Sequence, residues 1–348
     1  MPFEIVRNDI VNMQVDAVVN TVSRVPVIGY GVDSSINEKA GPKLLKARKK
    51  VGDIDFGDAI ITPGYLLDAK YVIHTVGPVW QGGNHSEEKV LSSCYKRSLE
   101  LAKKYRCDSV AFPLIATGNY GFPKSLALKI AINEIGTFLL NNEMQVYLVV
   151  FDKESFVLSE KIFNPVRSYI DENYIKDRSF ESDSGYSGIN RNRFLLKKVK
   201  ETRNNIQQFL STDVLGGLAD ESPTDNDDLG ELLENLDAGF SETLLKLIDR
   251  TGKKDSQIYR KANVDRKLFS KIRNNMDYRP SKTTALAFAF ALELNLEETK
   301  DFIGRAGFAL SHSSVFDVIV EYYLKNKNYD IFELNAVLFE YDQPLIGV

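Results

Sequence analysis

The chain has 348 residues, long enough for two domains of ordinary size. Its 43% hydrophobic and 26% charged content suits a globular protein with two modest cores, and a net charge of −4 gives no overall case for a nucleic-acid partner. Two cysteines, Cys94 and Cys107, exclude a disulfide scaffold; with three histidines and no zinc-ligand spacing, no metal site or cofactor is expected.

The opening MPFEIVRND lacks a charged head followed by an apolar run. The longest apolar stretch, Ala285–Leu296, is too short for a membrane span and carries Glu293. The expectation is a cytoplasmic protein with no membrane partner.

In the first half, short β-branched runs alternate with helical patterns, the mark of an α/β layer fold. Strands are predicted at Phe3–Val6, Ala17–Asn20, Asp58–Pro63, Tyr71–Thr75, Ser109–Leu114 and Gln145–Phe151. Helices are predicted over Asp33–Lys49, Ser86–Tyr105, Lys124–Asn141 and Lys153–Asn173. Continuous apolar runs such as AVVN and VAFPLI suit central strands covered on both faces. The first domain is drawn over 1–175. Residues 176–228 are rich in Ser, Asn, Asp and Gly and read as a flexible linker, with a helix-like island at 193–210. From 229 to 348 the periodicity is helical throughout.

Four glycine-bearing segments follow predicted strands, where open α/β sheets bind ligands: Asn8–Ile10, Val19–Gly41, the run from His74 and the run from Pro113. Gly29, Gly31, Gly118 and Gly121 permit close backbone approach and expose N–H groups able to cradle a diphosphate. Each alone could be a turn glycine; four at one sheet edge point to a nucleotide.

The order of these segments resembles the macrodomain family, and within it the MacroD-like bacterial branch. The resemblance rests on Asp9-Ile10, Asn20, Gly29-Tyr30-Gly31, Val32-Asp33, the His-Thr-Val-Gly-Pro run and the Gly-x-Tyr-Gly-Phe-Pro run. It implies a three-layer α/β fold with a mixed central sheet, and ADP-ribose, free or on a macromolecule, as the ligand. By the same resemblance Asp9 would accept from the adenine amine, with Ile10 donating its N–H nearby. Gly29, Tyr30, Gly31 and Val32, with Thr117, Gly118, Asn119, Tyr120 and Gly121, would wrap the diphosphate. Tyr120 and Phe122 would pack on ribose and adenine. The catalytic set would be Asp33, Asn20 and Ser23, with Asn20 supporting the distal ribose loop and Asp33 orienting a water against the anomeric carbon. The alternative reading of Asp9 is a turn residue, and that of Asp33 a helix N-terminal carboxylate. His74 reads as a core histidine.

Two departures stand out. Ser23 replaces the asparagine that active relatives place ten residues before the aspartate, and Tyr30 interrupts the glycine run. The leading expectation is removal of ADP-ribose from mono-ADP-ribosylated targets; the alternative is a non-catalytic sensor coupled to the helical region.

In that region Ser256–Asn274 reads as a helix-turn-helix, with Ser256 or Asp255 capping the first helix, Asn263 at the turn and Asp265 capping the second. Leu244–Phe302 resembles the phage-repressor (XRE-like) family. Between Lys246 and Lys282 twelve Lys/Arg stand against four Asp, a net of +8. Arg266, Lys267, Lys271 and Arg273 would contact DNA; the alternative is a solvated face on a protein-binding module. The tail from Ser313, with Val315, Phe316, Ile319, Val320 and Tyr323 on one face, is expected to pack on this domain or to form a homodimer.

Overall fold

A computed structural model of the chain describes residues 2–151, 160–174 and 238–347. Six strands form one sheet: β1 (Phe3–Arg7), β2 (Ala17–Thr21), β3 (Ala59–Pro63), β4 (Tyr71–Thr75), β5 (Ser109–Pro113) and β6 (Gln145–Val150), in the order β1-β6-β5-β2-β4-β3. β3 runs antiparallel to β4 and the other pairs are parallel, so the sheet is mixed. All six predicted strands are present.

The alternation of side chains explains the layers. Val18, Val72, Ala111 and Val149 face one side, against Ile36 and Ala40 of α1 (Val32–Ala40) and Leu44 of α2 (Pro42–Val51). Ala17, Val19, Phe112 and Leu148 face the other, against α3 (Glu87–Lys104) and α4 (Lys124–Leu139). The helix expected over Asp33–Lys49 is two helices: Gly41 has φ 78°, and Pro42 lacks the N–H that would continue the ladder. The last helix of this half is α5 (Glu160–Asn173). The linker with its 193–210 island lies outside the described residues.

Among the described residues seven helices follow: α6 (Phe240–Thr251), α7 (Asp255–Lys261), α8 (Arg266–Asn274), α9 (Lys282–Ala291), α10 (Leu296–Gly304), α11 (Val315–Lys325) and α12 (Ile331–Glu340). This part is all helical, and it belongs to the same compact unit as the sheet. Thr284 to Ala291 of α9 are all buried, making it the central helix. α8 is capped as expected, Asp265 accepting from the Leu268 N–H at 2.8 Å. α7 is not: its N-cap is Lys254, whose N–H donates to Gln257 at 2.9 Å, while Asp255 and Ser256 are inside the helix.

The helical part packs on the sheet's first edge. Asn263, in the left-handed conformation at φ 55°, is buried between α7 and α8 and pairs with the backbone of Phe3 in both directions. The Phe3 N–H donates to Oδ1, and Nδ2 donates to the Phe3 carbonyl, each at 2.9 Å. Phe332 meets Phe3 edge-on at 5.7 Å and lies so close to Gly136 that a Cβ there would stand 2.9 Å from its ring. Arg7 pairs with Asp342 and lies 4.6 Å over the Phe339 ring. Phe316, Ile319, Val320 and Tyr323 of α11 are buried, so the tail face expected to pack or dimerise packs within the chain, and Tyr169 donates to Glu321 on the same helix at 3.0 Å. His312 joins the same Glu321 at 2.9 Å. Among the described residues no helix is long and apolar enough to cross a membrane.

Candidate functional site

A cleft of about 690 Å³ opens where the loops after β1, β2, β5 and β6 meet. All four strands point their C-terminal ends at it, the expected ligand position in a parallel sheet. From β1 to β2 the strand order crosses three inter-strand spacings, roughly 14 Å. A base can lie at one end and a sugar at the other.

At the β1 end, Asp9 caps the turn Ile10–Asn12 by accepting from the Val11 N–H at 3.1 Å. Asp9 and Ile10 both line the cleft, so the turn and ligand readings of Asp9 are compatible. The β5 wall is the loop Thr117–Tyr120, all of it lining. This loop is closed by the Gly121 N–H on the Gly118 carbonyl at 2.9 Å and tied to the loop after β4 by the Trp80 N–H on the Tyr120 carbonyl at 2.9 Å. A Cβ at Gly118 would meet nothing within 4 Å, so its backbone faces open space. Gly121 stays behind this wall, its φ of 65° making the bend. Phe122 is core rather than cleft wall: it is 2% exposed, its ring lies 4.7 Å from that of Trp80, and it does not line the cleft.

At the β2 end, Ser23 and Gly29 to Val32 line the cleft. Gly31 has φ 65° and ψ −127°, a glycine conformation, and starts α1. Asp33 lies beneath the loop, only 2% exposed. Its Oδ1 accepts from Asn20 Nδ2 at 2.7 Å and Asn37 Nδ2 at 2.8 Å, and its Oδ2 from the Gly29 N–H at 2.6 Å. Asn20 is likewise buried. The expected catalytic trio is therefore divided: Ser23 faces the cleft, while Asp33 and Asn20 form the clamp that shapes the loop.

Two residues of the site carry no sequence motif. The buried Arg48 of α2 donates to the carbonyls of Arg24, at 2.9 Å, and Ser23, fixing the start of the β2 loop. Burial lowers the basicity of its guanidinium. Its only hint was a charged residue on the inner face of a predicted helix. Phe151, 73% exposed at the end of β6, lines the cleft; the signal was an aromatic ending a parallel strand. His74 is a core residue, its Nε2 2.9 Å from Thr62 Oγ1, and burial pushes its pKa down to about 3.

The Macro domain family profile matches residues 19–131. A Macro domain-containing protein of Methanosarcina mazei is 50% identical over 153 residues, covering 43% of this chain and 82% of that protein. The chain belongs to the Macro domain family. An O-acetyl-ADP-ribose deacetylase of Citrobacter koseri is 44% identical over 160 residues, covering 44% of this chain and 90% of that one. A solved Oceanobacillus iheyensis macrodomain with ADP is 34% identical, covering 49% of this chain and 92% of its own, at a TM-score of 0.43. The family profile lies within the sheet-bearing half. In the helical half, Arg266, Lys267, Lys271 and Arg273 are exposed on α8, with Arg273 paired to Asp255.

Proposed function

We propose that this cleft binds ADP-ribose. Adenine lies at Asp9 and Ile10 against Phe151, the diphosphate against the amides of Tyr30–Val32 and Thr117–Tyr120, and the distal ribose at Ser23 and Tyr30. The observation that carries the reading is a single cleft reaching from Asp9 to Ser23, walled by two glycine-bearing loops. Peptide N–H groups suit a diphosphate because they supply aligned dipoles without a counter-charge. Isothermal calorimetry with ADP-ribose tests it; absence of binding, with the protein folded, ends it.

Hydrolysis at the distal ribose is the second reading, favoured by the relatives named deacetylases. The reaction is release of a group held there, an acyl ester or a mono-ADP-ribosylated side chain. Asp33 then acts through the loop it holds, since both its oxygens are engaged by protein donors. Label release from mono-ADP-ribosylated protein and deacetylation of O-acetyl-ADP-ribose are the assays. Binding without either reaction leaves the sensor alternative.

DNA contact by α8 is a separate proposal, supported by the exposed row Arg266, Lys267 and Lys271. The full chain should shift a duplex with steep salt dependence, and no shift at low salt sinks the idea.

A further inference from the structure

The loop between Ser23 and Gly31 is apolar where an approach to a sugar calls for small or polar residues. Val27 is 55% exposed, Ile28 47% and Tyr30 87%, and all three line the cleft at its β2 end. Val25 beside them is half exposed as well. An unfolded loop could turn such side chains inward, but this one is fixed at both ends. The Arg24 carbonyl accepts from Arg48 at 2.9 Å and from the Ile54 N–H at 3.1 Å, and the Gly29 N–H is bound to Asp33. Between these anchors Pro26 and the Val27 N–H on the Val25 carbonyl, at 2.8 Å, make a tight turn. The result is a preorganised apolar shelf held up to solvent beside the cleft. Contiguous exposed apolar side chains of this kind mark a binding surface, and ordering costs have already been met by the clamp.

We propose that this shelf receives an acyl chain longer than acetyl carried on the distal ribose, so that the preferred ligand is a longer-chain acyl-ADP-ribose. The inference rests on the ADP-ribose reading above. Two aliphatic side chains and a phenol ring offer no charge to pair with an ionic acceptor, and they match a saturated chain running out of the cleft over the loop. A methylene fully removed from water strengthens binding about fourfold. On an open shelf one side of the chain stays wet, so the gain is about twofold per methylene.

The experiment is calorimetry of the full chain with ADP-ribose and with amide-linked acetyl, butyryl and hexanoyl analogues, which resist turnover. Affinity should climb about fourfold from acetyl to butyryl and again to hexanoyl. In Tyr30→Ala and in Val27→Ser the climb should flatten; both side chains are exposed, so folding is not at stake. A flat series in the wild type, with ADP-ribose still bound, overturns the shelf and leaves the ADP-ribose reading standing. No binding of ADP-ribose itself overturns that reading. A mono-ADP-ribosylated peptide that outcompetes the hexanoyl analogue assigns the shelf to polypeptide and likewise overturns the proposal.

Discussion

Two clamps, one under a cleft loop and one at the far edge of the sheet, use the same device at very different ranges in sequence. At the β2 end, buried Asp33 gathers Asn20, Gly29 and Asn37, all within thirteen residues. At the N-terminal start of β1, away from the cleft, buried Asn263 satisfies both backbone groups of Phe3 from 260 positions away. Each replaces missing backbone partners with side-chain ones, because a buried polar group left alone is expensive. The first clamp shapes a loop. The second closes an edge strand whose unpaired N–H and C=O would otherwise invite another chain.

Removing Asp33 should have the largest effect. Asp33→Ala leaves one N–H and two amides without their acceptor, and destabilisation of about 4 kcal/mol is expected from three lost charge-assisted bonds with partial relaxation. Asp33→Asn should do nearly as badly, since its amide would present a donor to an existing donor. Urea unfolding of both variants reads this. If Asp33→Asn is close to wild type in stability, the carboxylate is not the clamp described.

Asn263 comes next. Asn263→Ala loses two buried hydrogen bonds and places a Cβ-bearing residue without local hydrogen bonding at φ 55°, for about 3 kcal/mol together. Asn263→Gly relieves the backbone part only, so it should recover about 1 kcal/mol of that. If both variants unfold in one transition, sheet and helices share a cooperative core. Separate transitions would break the symmetry between the two clamps.

These clamps also show what could be read beforehand. The six strands were legible because each is a short β-branched run, and the cleft loops because glycines follow strand ends. Asn20 was expected to support the distal ribose loop, and Asp33 to orient a water or to cap its helix. Nothing local says that a carboxylate at a helix start is turned inward to its own loop rather than outward to a ligand. Phe122 was misplaced for a related reason: its ring packs on Trp80, a contact between loops that spacing does not reveal. Asn263 was read as a turn residue, which it is; its pairing with Phe3 depends on how α7 and α8 meet β1. Arg48 was missed because the carbonyls of Ser23 and Arg24 that it binds lie on a different loop.

His74 lets the β2 end be probed by pH. It stands opposite Asn20 in the strand register and is buried neutral, its pKa pushed down to about 3. Below the ordinary value of about 6.5 the unfolded chain takes up a proton that the folded chain refuses. Stability therefore falls as pH drops through that window, by about 1.4 kcal/mol per unit and about 2 kcal/mol at pH 5. His74→Gln should remove this part of the acid sensitivity. Guanidinium melts of both proteins between pH 7 and pH 5 supply the difference; parallel curves would show that His74 is not buried neutral.

The smallest effect belongs to Arg7, which joins the two halves immediately before Asn8 and Asp9. Its partner Asp342 is half exposed, and an ion pair in such a position contributes at most about 1 kcal/mol. The ring of Phe339 beneath the guanidinium adds a similar amount. Arg7→Ala should thus lower stability by about 1 kcal/mol, and Asp342→Asn by less. The informative quantity is the interaction energy from a double-mutant cycle, measured with and without ADP-ribose. Equal values mean that the helical half merely closes the sheet edge and leaves the adenine end indifferent to it. A larger value with ligand bound means that occupying the cleft tightens the junction, and reciprocity then requires that the junction strengthen ligand binding by the same factor. That outcome would give the junction of sheet and helices a role in recognition, alongside the role proposed for the loop that Asp33 shapes.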